Sequence, residues 1–119
     1  MVIIMDDEMA QKTLFRTVVG DSPTSRVMEL LITGREFDYS LSDIARNSSI
    51  GWTSLHRIWD SLEKNKIVVH TRNIGKAKMY KLNMENRIAK ELVRLYDTIL
   101  LKENKKFLKK KIVAQKVSN

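Results

Sequence analysis

The stretch "SIGWTSLHRIWDSLEK", residues 49–64, decides the fold. Leu55, Ile58, Trp59 and Leu62 recur at i, i+3, i+4 and i+7, the spacing of one buried helix face. Between them stand Trp52, Thr53, Ser54, His56 and Arg57, side chains able to touch something outside the protein. The spacing predicts a helix over residues 52–64 with an apolar inner face and an early outer face that has another use.

On the N-terminal side, "LSDIARNSSIG" at 41–51 reads as a second, shorter helix and a break. Ser42 is expected to cap it, with Asp43 in the first turn favourable to the helix dipole and Ile44 and Ala45 facing inward. Further upstream, Ser22 is a good N-cap and Pro23 suits the first helical position, where its missing N–H costs nothing. Val27, Leu30 and Leu31 form that helix's inward stripe, Gly34 stops it, and "EFDYS" is a brief strand. Residues 8–19 read as a short helix ended by Gly20. On the C-terminal side "NK" ends the helix of 52–64, "IVVHTR" begins a strand rich in β-branched residues, "NIGK" turns, and "AKMYKLN" returns. Asn83 is expected to cap a last helix running from about Met84 past Leu101. No strand–helix–strand unit is available to build a parallel sheet.

The chain of 119 residues suits one small domain with an appended helix, and its 43% apolar content is enough for a core. It has no cysteine, which excludes disulfides and cysteine-held metals and implies a reducing, cytoplasmic setting. The opening "MVIIMDDEM" is too short an apolar run for a signal peptide or a membrane span. The net charge of +8 is unevenly placed. Residues 22–83 hold ten basic against six acidic side chains, and residues 102–119 hold seven lysines against one acid. That distribution implies a polyanionic partner, nucleic acid ahead of membrane.

The run "LSDIARNSSIGWTSLHRIWDSLEKNKIVVHTRNIGKAKMYKL", residues 41–82, resembles the winged helix-turn-helix of small prokaryotic regulators, the MarR-like and ArsR-like group. A wider run from "GDSPTSRVMELLI" to "GKAKMYKLN" also looks like a common type of archaeal winged-helix regulator. The resemblance implies a mainly α fold with a small β-hairpin wing and a long C-terminal dimerisation helix. It divides the chain into a helical arm (1–21), the winged helix-turn-helix (22–83), the dimerisation helix (84–111) and a basic flexible tail (112–119). It makes 52–64 the recognition helix, placed in the major groove of double-stranded DNA with its first residues at base edges.

Arg57 is then the candidate for a bidentate contact to guanine, and Thr53, Ser54 and His56 for bases or phosphate. Trp52 can pack along the sugar-phosphate backbone or fold back over the core. Arg72, Lys76 and Lys78 of the wing are candidates for phosphate or the minor groove, and Ser42 and Arg46 for further phosphates. Where the group often has Ser or Thr as N-cap of this helix, Gly51 stands here, a cap only slightly weaker. In the last helix Ile88, Leu92, Leu95 and Ile99 are spaced 4, 3, 4, the rhythm of a coiled-coil seam, with Val93, Tyr96 and Leu100 beside them. Ile88, Leu92, Leu95, Tyr96 and Ile99 are the expected homodimer interface, and Phe107 and Leu108 can extend it.

Catalysis finds no support. The two histidines, His56 and His70, stand thirteen residues apart without cysteine and make no zinc site. No nucleophile–base arrangement or phosphate-cradling glycine loop is present, so neither enzyme nor cofactor is expected. The competing readings are a winged helix serving as a protein-interaction module, and an architectural DNA binder without sequence preference.

Overall fold

The computed structural model describes the backbone of residues 13–118 and the side chains of residues 13–105. The expected start of the first helix at 8–12, the acidic Asp6–Glu8 cluster and the side chains of Phe107 and Leu108 lie outside these described residues. The elements in chain order are α1 (Leu14–Val19), α2 (Pro23–Thr33), β1 (Tyr39–Ser40), α3 (Leu41–Asn47), α4 (Trp52–Lys64), β2 (Val68–Ile74), β3 (Ala77–Leu82) and α5 (Arg87–Ser118). Three helices, α2 to α4, and an antiparallel sheet in the order β1-β3-β2 form a winged helix-turn-helix, with α5 leading away from it.

Local chemistry sets most boundaries. Ser22 accepts the Ser25 backbone N–H while Ser25 reaches back to the Ser22 N–H, and Pro23 occupies the first turn of α2. Gly34 ends the helix where a Cβ would fall 1.9 Å from the Tyr39 hydroxyl, so the absent side chain lets Tyr39 close over the turn. Two expected caps move. The cap of α3 is Ser40, not Ser42, because Ser40 and Asp43 stand three apart and satisfy each other's backbone N–H groups. Ser42 is thereby released, with its side chain exposed. The cap of α5 is Asn86, not Asn83: Asn86 Oδ1 accepts the Ala89 N–H at 3.0 Å. Asn83 instead braces the preceding turn, its Nδ2 donating to the Lys66 carbonyl at 2.9 Å.

The predicted "EFDYS" strand shrinks to Tyr39–Ser40, paired with Tyr80 and Met79 of β3. The hairpin turn is narrower than "NIGK": pairing continues to Ile74↔Ala77, and Gly75 takes the left-handed φ of 60° that a residue without Cβ adopts freely. Val27, Leu31, Ile32, Ile44, Leu55 and Leu82 are sealed from solvent at the centre. Trp59 of α4 packs edge-on against Tyr80 of β3, ring centres 5.2 Å apart, which locks α4 to the hairpin's return strand.

The last helix continues to Ser118 and so passes the expected boundary at residue 111. At 1.5 Å per residue its 32 residues span about 48 Å. Ala89 and Val93 are buried against the domain. Among the described residues no helix is long and apolar enough to cross a membrane.

Candidate nucleic-acid interface

The outer face of α4 begins at Gly51, which caps the helix through its backbone alone. Thr53, His56 and Arg57 are exposed and Ser54 is half-buried. Trp52 does not close over the core: it is 52% exposed and leans edge-on against His56, ring centres 4.4 Å apart. One turn beyond Arg57 stands Asp60, paired with Lys64 at 3.1 Å. A carboxylate there repels phosphate, so the DNA-compatible part of the face is its N-terminal half.

The wing has two chemically distinct ends. At its base, β2 carries a bulge between His70 and Arg72, with Thr71 the extra residue. The bulge turns Thr71 and Arg72 onto one carboxylate, that of Asp38. Thr71 Oγ1 donates to it at 2.6 Å, and Arg72 grips it with Nε at 2.9 Å and Nη2 at 3.1 Å. The Arg72 guanidinium and then the Thr71 hydroxyl hold the Asp38 carboxyl down at about 2. At the tip, Lys76 and Lys78 flank the turn and are exposed.

Partnering divides the candidate cations. Arg72 is held by Asp38, and Arg46 by Asp43 of its own helix at 2.6 Å. Arg57, Lys76 and Lys78 have no carboxylate within ion-pairing distance among the described residues. Ser42, Trp52, Lys76 and Lys78 meet at one place. With Ser40, Leu41, Ala77 and Tyr80 they line a cleft of about 270 Å³ between the wing and the start of α4. Neither Asp38 nor Thr71 was legible from its neighbours in sequence, because each acts on a partner far along the chain.

The expected dimer residues divide as well. Ile88 and Leu95 are exposed, as are Leu100 and Leu101 further along. Leu92 and Ile99 lie half-buried against the domain's own core. Tyr96 is taken up within the chain, edge-on to Phe15 at 5.7 Å and accepting the Thr33 hydroxyl at 3.0 Å. Of the two histidines, His70 faces Asn73 Oδ1 at 2.7 Å and packs on Tyr80, while His56 meets Trp52. Among the described residues no three His, Cys, Asp or Glu gather where a metal ion would sit.

No protein-family model matches the sequence, and no curated protein matches it either. Solved structures share its fold. MepR, a transcription regulator of the Staphylococcus aureus multidrug efflux pump MepA, aligns with 82% of this chain and 78% of its own at 12% identity and a TM-score of 0.55. The adhesin competence repressor AdcR of Streptococcus pyogenes aligns with 78% of this chain and 74% of its own at 18% identity and a TM-score of 0.54. NadR, solved with 4-hydroxyphenylacetate, aligns with 96% of this chain and 89% of its own at 25% identity and a TM-score of 0.53. The chain has the fold of winged-helix transcription regulators.

Proposed function

We propose that this protein is a sequence-reading, double-stranded-DNA-binding transcription regulator that acts as a homodimer. The observation that carries the reading is the placement of unpaired charge. Among the described residues, Arg57 on α4 and Lys76 and Lys78 on the wing carry no counter-ion, whereas Arg46 and Arg72 beside them do. An unpaired cation on an exposed surface is free to neutralise phosphate or to fork onto a guanine edge. Helix α4 enters the major groove by its first two turns. Arg57 reads guanine, and Thr53, Ser54 and His56 contact neighbouring bases or phosphates. Lys76 and Lys78 meet the backbone or the minor groove. Arg46 and Arg72 hold α3 and the wing in position from their paired states.

The dimer reading rests on the outer face of α5, where Ile88 and Leu95 stand seven residues apart, two turns along one face, and are both exposed. A second copy covering that row would set two recognition helices about one helical turn apart, roughly 34–36 Å. Sedimentation at micromolar concentration tests it, and a monomer throughout would sink it. The function itself is tested by selection from a randomised duplex pool at about 150 mM salt, where weak phosphate-only binding is suppressed. An enriched inverted repeat is expected. Binding without enrichment would replace the regulator with an architectural DNA binder, and no binding would replace it with a protein-interaction module.

A further inference from the structure

The cleft between the wing and the start of α4 gathers groups of complementary chemistry from three elements. Ser42 comes from α3, Trp52 from α4, and Lys76 and Lys78 from the wing. Three features leave these groups available together. Ser40 caps α3, so the Ser42 hydroxyl is not spent on the helix end. The two ammonium groups have no carboxylate partner among the described residues. Trp52 is half exposed in a chain whose other tryptophan, Trp59, is 3% exposed. An exposed indole at a cleft wall offers a flat apolar face beside two charges.

Duplex geometry says what lies in such a place. A helix in the major groove and a hairpin reaching the adjacent minor groove have one sugar-phosphate strand between them. We propose that one phosphodiester of the bound duplex, with its deoxyribose, seats in this cleft. The non-bridging oxygens take the Lys76 and Lys78 ammonium groups and the Ser42 hydroxyl, and the sugar packs on the face of Trp52. This rests on the DNA-binding reading and adds to it a single privileged phosphate per half-site. Because the seat joins α3, α4 and the wing on one backbone position, it sets the register in which Arg57 meets its base pair. Contacts to phosphate position a protein on the duplex in this way without themselves reading sequence.

The test is a scan of the selected duplex in which one phosphate at a time is replaced by a neutral methylphosphonate. For the wild-type protein, one position per half-site, at the boundary between the contacted major-groove bases and the neighbouring minor groove, is expected to weaken binding roughly ten- to a hundredfold, the effect of losing charge-assisted hydrogen bonds. In a Lys76→Gln/Lys78→Gln double variant the same replacement is expected to cost little more, since the seat has already lost its cations. Both lysines are exposed, so the variant folds; Trp52→Leu, read in the same scan, weakens binding while leaving sensitivity at that phosphate. Small, even losses at every phosphate would overturn the seat while leaving DNA binding intact. So would a peak of equal size in wild type and the double variant. Absence of binding to any duplex would overturn the DNA-binding reading, and the seat with it.

Discussion

The base and the tip of the wing carry the same charge in opposite states. At the base, Arg72 is spent on Asp38, in a two-pronged grip reinforced by Thr71 at the bulge. At the tip, Lys76 and Lys78 face solvent with no acidic partner among the described residues. The same division separates Arg57 from Arg46 in the two helices of the motif. On the proposed DNA-binding reading, a basic residue inside the winged helix therefore has two distinct uses. A paired cation orders the framework that carries the surface, and an unpaired one is the surface. Residue type alone does not tell them apart, since arginine occurs on both sides of the division.

The sharpest way to break that division is through Arg57. Arg57→Ala is expected to cost about 1–3 kcal/mol at one base pair of the selected site and little at the others. Competition among duplexes with single base changes measures this; an equal loss on every sequence would reduce Arg57 to a phosphate contact. Next in size is the double change Lys76→Ala/Lys78→Ala. It is expected to weaken all duplexes alike and to flatten the dependence of log affinity on log salt by about 0.9, the one phosphate the two lysines share. An unchanged salt slope would place the tip off the DNA.

The third expectation concerns the wing's base. Asp38→Asn removes no DNA contact in this reading, so affinity should fall only roughly two- to tenfold, as for changes that act through position. Backbone hydrogen exchange across the bulge at 70–72 should quicken at the same time. A rise in affinity with a steeper salt slope would show instead that the released Arg72 is a phosphate ligand in waiting. The pH dependence has a definite sign. The Asp38 carboxyl is held at about 2 against an ordinary 3.8, so the folded wing favours its ionised form. The clasp is complete above 3.8 and is lost as pH falls through about 2, with no change near neutrality.

How much of this could be read in advance follows from the reach of each interaction. The inner face of α4, the Ser22–Pro23 start of α2 and the Gly34 stop are local patterns, and they were legible. Ser40 and Ser42 compete for one cap, and the three-residue spacing from Ser40 to Asp43 decides it, because only that spacing lets each side chain reach the other's backbone N–H. The Asp38–Arg72 grip spans 34 residues and depends on a bulge that no local composition announces. Tyr96 stands in the apolar line beside the seam and so reads as part of the dimer interface; within the chain its hydroxyl accepts from Thr33, 63 residues away, a contact no local spacing announces. Candidate site residues were found by type and spacing, and their partnering came only from the fold.

The smallest expected effect is also the most direct probe of the paired class. Arg46 is 69% exposed and sits three residues from Asp43 on α3. Asp43 has a second task, accepting the Ser40 backbone N–H in the capping box, and the Ser40 hydroxyl is the first cause of its lowered pKa. Removing the arginine therefore leaves the cap in place. An exposed pair of this kind is worth about 0–1 kcal/mol, so Arg46→Ala should leave stability almost unchanged. Affinity should stay within about twofold of wild type, the usual range for a surface change away from an interface. A salt slope flattened by a full phosphate would mean that Arg46 leaves Asp43 for the backbone when DNA arrives. Pairing in the free protein would then describe a cation held in reserve, and the division between framework and surface would hold only until the duplex binds.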